Sequence, residues 1–445
     1  MSELLAHCGD ILFLCFFAAG VVFINRVISE TASIRARVLV AFAMVLMSLA
    51  AFWLSTPPQV FFDYLFAYYP AGLAVLHNDA NALRTLTGPA FVNMPVVAYA
   101  FAPFALLGPK IGAALLSTIG IILVVIAWFI LARVARLGTR ERWLLAFIFI
   151  GNGPLINGIK FANTSYFILF ALVAALHFIR AGRSWLAGIL LGVSAVVKPP
   201  ILLFAVFFLL RRDLRGLIGF VGSCGVIILL SLGSFGWADN MLWLEKCVLQ
   251  FRHQWLTGFT VQSVPAFVFR FNAAPAVLTD WSAHAPTVAQ QIWADAIIGV
   301  LFVIAAVVYT RSAARSQQMS GNSDTKRDLQ FLLVLCLCLV TSPLSWSHYY
   351  AWLLLPMAFF LSRDLPHSVG IRWLAWVGIA LIVPPVIWPV SVPSSLLMLV
   401  YTSIIESRLL LGGIIWFCIV AWQLSRAGDV SPLSTTKPGD MVASA

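Results

Sequence analysis

Charge is the scarcest property of this sequence. Only 10% of its 445 residues are Asp, Glu, Lys or Arg, while 61% are hydrophobic and the mean hydropathy is +0.96. Soluble domains carry about a quarter charged residues, because their surface faces water. So few charges cannot cover a globular surface, and the composition therefore predicts an all-α polytopic membrane protein.

The common motifs of soluble catalysis are absent as well. The sequence has no glycine-rich phosphate loop, no HExxH zinc motif and no nucleophile elbow. Most of the seven cysteines lie inside apolar runs, and Cys336 and Cys338 lack the spacing and the histidine partner of a zinc site. The residues thus predict neither a resident cofactor nor a metal site, and they leave open a divalent ion that is bound together with substrate.

The basic residues do not form one surface. The net charge is +11, but Lys and Arg occur in short clusters between apolar runs, as in the cytoplasmic loops of membrane proteins. No segment is long and polar enough to be a folded basic domain. We therefore predict membrane lipids as the surroundings of this chain and no nucleic acid as a partner.

The charge pattern also orients the apolar runs. Runs 11–25 and 38–54 are joined by a link with three arginines, which places the link in the cytoplasm and the following residues outside. The run 92–108 contains Pro95 and Pro103, so we expect it to lie in or dip into the outer interface without crossing. Continuing this count gives about 13 transmembrane helices, with the N-terminus outside and the C-terminus inside.

Residues 186–210 allow two interpretations. Lys198 and two prolines interrupt this apolar run, and basic residues flank both of its ends. We predict a helical hairpin of two short arms with Lys198 at its tip, because both ends should then lie in the cytoplasm. A single kinked span is the competing interpretation.

Together these spans predict a single transmembrane domain over residues 1–427. Its outer loops, about 55–110 and 235–292, are expected to carry juxtamembrane helices and the functional face, and the Ser/Pro/Thr-rich residues 428–445 are expected to form a disordered cytoplasmic tail. No internal repeat is visible, which disfavours transporter folds built from repeated halves.

Asp63 stands apart among the seventeen acidic residues. It lies in an aromatic stretch, residues 60–69, just beyond the second apolar run. Apolar neighbours raise the pKa of a carboxyl group toward the range that is useful to a general base. The alternative is a carboxylate that caps a helix or simply faces water.

Two further features carry polar groups at outer helix ends. Lys198 can neutralise a phosphate at the lipid surface, or it can merely anchor a helix end. The segment 342–352 is a proline-broken turn in which His348 offers a hydrogen bond and Trp346 offers a flat face for a sugar ring. Its alternative role is an ordinary interfacial aromatic belt. Asn163 and Gln262 are weaker polar candidates on the outer side.

Taken together, these segments resemble one family. The segments that carry the resemblance are Asp63 with Tyr68 and Tyr69, Phe91 to Phe104, Gly182 to Gly192 with Lys198, and Ser342 to Tyr349. They are similar to motifs of glycosyltransferase family 87 of the GT-C membrane superfamily, which includes polyprenol-phosphate-mannose-dependent α-mannosyltransferases. The Ser-Pro-Leu-Ser-Trp run is the most specific part, while Ser347 replaces the Asp that is usual in the family and Asn163 stands where a Gly-Gln pair is common.

The resemblance implies a hexosyltransferase of the bacterial inner membrane whose active site faces the periplasm. A polyprenyl-phosphate sugar, with mannose as the family default, would be the donor, and an outward-facing glycolipid or glycan would be the acceptor. Asp63 would be the catalytic base. The substrate or the donor phosphate would contact a set of further residues: Lys198, His348, Tyr68, Asn163, Ser345, Trp346 and Gln262.

Other functions stay open at this point. A flippase or transporter of a lipid-linked saccharide would need polar groups deep within its spans, whereas the polar groups here gather at outer helix ends. A lipid-linked glycan polymerase or ligase would use outer arginines, for which Arg252 and Arg270 are available. A non-catalytic scaffold is a third alternative, and an intact Asp63 disfavours it.

Overall fold

The computed structural model describes residues 2–55, 59–88, 90–271, 273–316, 323–362, 368–389 and 400–426. The predicted tail, residues 428–445, lies outside this part of the chain. Nearly all regular structure in it is helical, as the composition predicts. The helices of the first half are α1 Ser2–Val27, α2 Ile34–Leu54, α3 Tyr69–Leu76, α4 Ala80–Leu86, α5 Ala102–Ala105, α6 Gly108–Val134, α7 Thr139–Gly151, α8 Gly153–Phe161, α9 Ser165–Arg180, α10 Ser184–Val197 and α11 Phe204–Leu210.

The second half continues in the same way. Its helices are α12 Leu214–Cys247, α13 Val264–Arg270, α14 Val288–Ser316, α15 Ser323–Thr341, α16 Leu354–Leu361, α17 Val369–Ile382 and α18 Arg408–Arg426. Two short antiparallel strands, β1 Trp255–Leu256 and β2 Ala283–His284, pair in the second outer segment. Short 3₁₀ or π-helical turns fill several connections: Tyr64–Tyr68, Pro95–Ala100, Pro199–Leu203, Leu249–Arg252, Pro275–Thr279, Ser347–Leu353 and Tyr401–Ile405.

Six helices of the described residues are long and apolar enough to cross a membrane: α1, α2, α6, α12, α14 and α18. The pair α7 and α8, which is bent by 50° between Gly151 and Gly153, adds a seventh if it forms one span. Shorter apolar helices of 10–17 residues account for several of the remaining predicted runs. The chain is a polytopic all-helical membrane protein, and the total of 13 spans stays a prediction.

Proline breaks the run 92–108 as the sequence predicts. The structure has a 3₁₀ turn over Pro95–Ala100 and the four-residue helix α5 where an uninterrupted span would need about 20 helical residues. This segment connects α4 to the long helix α6. Its position in the outer interface stays a prediction.

The chain doubles back at Lys198, which confirms the hairpin interpretation. Gly188, near the start of α10, packs against the backbone carbonyl of Gly216, and the ring of Phe208, near the end of α11, packs against the same Gly216. Two residues twenty positions apart would lie about 30 Å from each other along a single straight helix. Because both meet one residue of α12, the arms run antiparallel and Lys198 lies at the turn.

A kink in α12 lies where the helix enters residues 235–292, the second segment that the sequence predicts to be outside. Gly236 has a φ of 71°, a conformation that favours glycine, and the side chain of Asn240 donates a hydrogen bond to its carbonyl at 2.7 Å. Beyond the kink, Asp239 forms an ion pair with Arg84, and the indole of Trp243 donates to the carbonyl of Val92 at 3.1 Å. The last turns of α12 are therefore fixed to the segment that follows Asp63.

Candidate functional site

The backbone before Asp63 is held in an unusual conformation. Phe61 has a φ of 64°, which is costly for a bulky residue, and its amide donates to the carbonyl of Lys160 at 2.6 Å. The Lys160 side chain, only 3% exposed, donates to the carbonyls of Phe52 and Ser55 at the end of α2. Helix α8 thus fixes the turn that carries Asp63, and the π-helical turn Tyr64–Tyr68 follows at once.

Asn163 approaches Asp63 from the end of α8. The preceding Ala162 is left-handed, with a φ of 52°, and terminates the helix. The amide nitrogen of Asn163 donates a hydrogen bond to the Asp63 carboxylate, while its amide oxygen accepts from the backbone and hydroxyl of Ser165 at 2.9 and 2.7 Å. Both ends of the side chain are engaged, so the amide is fixed with its donor toward Asp63.

Lys198 lies beside this pair at the hairpin tip, outside the long spanning helices. Its side chain is buried, and its ammonium lies 4.8 Å from the centre of the Tyr349 ring, a cation–π contact. Burial lowers the pKa of Lys198 to about 8, against the opposing effect of the negative charge of Asp63. Burial raises the pKa of Asp63, while the Asn163 hydrogen bond and the charge of Lys198 act in the opposite direction.

His348 adds a neutral polar group next to Lys198. It lies on the buried 3₁₀ turn Ser347–Leu353 and is 6% exposed, and its Nε2 atom has no hydrogen-bond partner within the described residues. Burial and the neighbouring ammonium lower the pKa of His348 well below its ordinary value. A buried nitrogen with an unused hydrogen bond at this place is suited to contact a ligand.

Three tyrosines surround Asp63, and the sequence indicated only part of this set. Tyr68, Tyr166 and Tyr349 are all buried. Each lies near enough to Asp63 for the charge of the carboxylate to act on its phenol group. Tyr68 stacks on Phe101 with the ring centres 4.2 Å apart. Tyr166 was not predicted, because a tyrosine near the start of an apolar helix looks like an ordinary interfacial residue.

Two loops pair with each other next to this site, and they carry Gln262, Ser345 and Trp346. The backbone N–H of Gln262 donates a hydrogen bond to the carbonyl of Ser345 at 2.6 Å, and Val261 pairs with Trp346. The Gln262 amide donates to the carbonyls of Phe259 and Glu406, and the Ser345 hydroxyl donates to the carbonyl of Leu339. These two side chains are thus engaged inside the protein, while the half-buried Trp346 lies parallel to His348 with the ring centres 6.4 Å apart.

Arg270 has a similar internal role. It is 1% exposed and donates to the carbonyls of Thr257, Gly258 and Val261 and to the hydroxyl of Ser407. Its guanidinium is therefore occupied in holding the loop 257–261, which removes it as a free outer arginine for a polymerase or ligase.

The structure thus brings together five of the predicted residues, Asp63, Tyr68, Asn163, Lys198 and His348, from four separate parts of the chain. The resulting site has one carboxylate, one buried ammonium, a neutral imidazole and several phenols. Among the described residues, no group of three or more His, Cys, Asp or Glu side chains is placed to hold a metal ion.

Comparisons with known proteins found a matching family and two relatives. The model of glycosyltransferase family 87 matches residues 91–343, more than half of the chain; Asp63 precedes the match and His348 follows it. Two relatives are named polyprenol-phosphate-mannose-dependent alpha-(1-2)-phosphatidylinositol mannoside mannosyltransferase. The one from Mycolicibacterium smegmatis is 26% identical over 63% of this chain and 62% of the relative. The one from Mycobacterium tuberculosis is 27% identical over 59% of this chain and 60% of the relative. The chain therefore spans about three fifths of each relative, and no solved structure matches it.

Proposed function

Because the chain belongs to glycosyltransferase family 87, we propose that it transfers a hexose from a polyprenyl-phosphate donor to an acceptor on the outer side of the membrane. Mannose is the sugar named for both relatives, and a mannosylated glycolipid is the acceptor in both names. We take these as the first substrates to test. In a bacterium, the protein would lie in the inner membrane with its active site toward the periplasm.

One observation carries the proposal: the carboxylate of Asp63 is hydrogen-bonded by Asn163 and lies within the field of the buried Lys198. A base and a cation close together serve the two needs of this reaction, which are to remove a proton and to stabilise a negative charge. The acceptor hydroxyl must lose a proton, and the phosphate must leave with a negative charge. A glycosidase would need a second carboxyl group to protonate its leaving group, whereas a phosphate leaves without one.

The proposed step is a single inverting displacement. Asp63 accepts the proton of the acceptor hydroxyl, the hydroxyl oxygen forms a bond to the anomeric carbon, and the bond from that carbon to the phosphate oxygen breaks. The electron pair of the broken bond stays on the polyprenyl phosphate, where the Lys198 ammonium and a hydrogen bond from His348 stabilise it. Tyr68 and Asn163 would hold the carboxylate in the correct position relative to the sugar.

The test uses purified protein in detergent with radiolabelled polyprenyl-phosphate mannose and a crude lipid-acceptor extract. We expect transfer by the wild type and none by Asp63→Asn. Asp79→Asn is the matched control, because Asp79 only caps α4 through the amide of Ala82, and Asn caps equally well.

Equal transfer by the wild type and Asp63→Asn would show that Asp63 is not the base. If the wild type transfers nothing but moves lipid-linked sugar across liposome membranes, the protein is a flippase. Thermal unfolding of each variant separates loss of chemistry from loss of fold.

A further inference from the structure

Five aromatic rings form a continuous row from the surface to His348. Trp388 contacts Phe259 at 5.4 Å between ring centres, Phe259 contacts Trp281 at 5.8 Å, Trp281 stacks on Trp346 at 6.2 Å, and Trp346 stacks on His348 at 6.4 Å. We call these five rings the aromatic row. Trp281 and Trp388 are 44% and 48% exposed, whereas His348 is 6% exposed. The row therefore leads inward to a residue of the proposed site.

The surrounding backbone holds Trp281 in a fixed position in this row. Its six-membered ring lies on Gly258, where a methyl group would come within 2.5 Å of the ring carbons. The loop that contains Gly258 is held by Arg270, which donates hydrogen bonds to the carbonyls on both sides of this contact. The pairing of β1 with β2 fixes the chain on the other side of Trp281. An anchoring tryptophan in the interface needs no such support.

The surroundings of Trp281 are polar. Thr279 and Ser282 are exposed, and the carboxylate of Asp280 accepts a hydrogen bond from the backbone of Ser282 and lies 3.2 Å from His284. Hydroxyl and carboxylate groups flanking an exposed indole are suited to water and to sugar hydroxyls, and they are costly against hydrocarbon. The exposed part of Trp281 therefore faces the aqueous side.

We propose that Trp281 and Trp346 form an acceptor subsite, which stacks against a sugar unit next to the one that receives the transferred hexose. This inference rests on the proposed function. A pyranose presents a flat C–H face to an indole and hydroxyl groups to the neighbouring polar side chains. In the proposed reaction the donor sugar lies between Asp63 and Lys198, and the donor lipid belongs in the bilayer, so the ligand at Trp281 is the headgroup of the acceptor. The preferred acceptor then carries at least two sugar units.

The test compares acceptors that carry one and two mannose units on the same lipid, with the wild type and Trp281→Leu. We expect the variant to raise KM for the two-mannose acceptor about tenfold, the effect of losing one favourable stacking contact. Its kcat, its KM for the donor and its KM for the one-mannose acceptor should not change. Trp281→Phe should recover part of the loss, and Gly258→Ala, which displaces the ring without removing it, should reproduce it.

Trp293→Leu is the matched control, because Trp293 is 66% exposed on α14 and is not part of the row. An unchanged acceptor KM in Trp281→Leu would overturn the subsite. A change in donor KM instead would assign the row to the donor lipid, and would overturn it as well.

A second measurement works even if the proposed transfer fails. Soluble mannobiose is titrated into the wild type and Trp281→Leu in detergent and followed by calorimetry. Binding that is weakened by the substitution supports the subsite independently of any reaction, and equal binding or no binding by the two proteins rejects it. Failure of the transfer assay alone thus counts against the proposed function, while equal or absent binding of mannobiose counts against the subsite.

Discussion

Asn163 donates a hydrogen bond to the carboxylate of Asp63 from a position 100 residues further along the chain. The same side chain accepts hydrogen bonds from Ser165 at the start of α9, so its orientation is fixed by the helix and not by Asp63 itself. The pair therefore links the electrostatics of the proposed base to the packing of α8 and α9.

The first prediction concerns pH. A base acts only when it is ionised, so the rate should rise with pH through the pKa of Asp63, which burial raises above its ordinary value of about 4. The Asn163 hydrogen bond stabilises the ionised form and lowers that pKa. Asn163→Asp removes the donor and adds a second carboxyl group but keeps the acceptor for Ser165. The acid limb of kcat/KM should therefore move to higher pH.

The control for this pH shift is Asn81→Ala, which changes an exposed amide in the first outer segment. Its profile should match that of the wild type. An unchanged acid limb in Asn163→Asp would mean that Asp63 does not control the observed ionisation.

The second prediction concerns Lys198. Lys198→Met removes the charge but keeps most of the apolar stem that packs near Tyr349, so kcat should fall by about a hundredfold, the usual effect of losing one transition-state donor. Lys198→Arg should be less severe, because it retains a cation. Lys110→Met, at an exposed position near the start of α6, is the control. If Lys198→Met kept the wild-type kcat, the proposed phosphate contact would be wrong.

The third prediction concerns a glycine that makes room for a ring of the site. The ring of Tyr166 lies directly against Gly120 of α6, and a methyl group there would overlap its carbons. Gly120→Ala should displace Tyr166 and lower the free energy of unfolding by about 1–3 kcal/mol, with a loss of activity. Gly222→Ala, in α12 with open space around it, should not destabilise the protein. Thermal unfolding in detergent compares the two, and equal melting temperatures would contradict the prediction.

The fourth prediction concerns a buried ion pair between α9 and α15. Both carboxylate oxygens of Asp328 accept hydrogen bonds from Arg180, and Asp328 is 0% exposed. Asp328→Ala leaves a mostly buried guanidinium without its partner and should cost about 3–5 kcal/mol. The double variant Arg180→Met and Asp328→Leu should be more stable than the single one, because no unpaired charge remains. A double variant that unfolds at a lower temperature than Asp328→Ala would refute this.

Local features of the sequence predicted well where the helices are interrupted. Pro95 and Pro103 each lie in the first turn of a short helix and keep the run from forming one long helix, because proline removes a backbone donor. Lys198 with its two prolines marks the hairpin tip, because basic residues favour one side of the membrane. The number of spans could not be read in the same way. A short apolar helix such as α9 or α17 has the same hydropathy whether lipid or protein surrounds it, and only tertiary packing decides which.

The candidate site was predictable only in its individual residues. Asp63, Lys198 and His348 were selected for their chemistry, but nothing near Asp63 indicates that Lys160 will fix its turn or that Tyr166 will face it. Gln262 looks like a ligand-binding amide in the sequence, and only the fold shows that the carbonyl of Glu406, 144 residues away, occupies it. Such contacts depend on how helices pack, which periodicity does not encode.

The order in which the site residues leave the ribosome has a consequence for biogenesis. Asp63 emerges first, and Asn163, Lys198 and His348 follow over nearly three hundred further residues. Phe61 holds its left-handed backbone through a hydrogen bond to the carbonyl of Lys160, which belongs to the later helix α8. The full set of partners around the Asp63 carboxylate is thus assembled only after α15, which precedes His348, has been made.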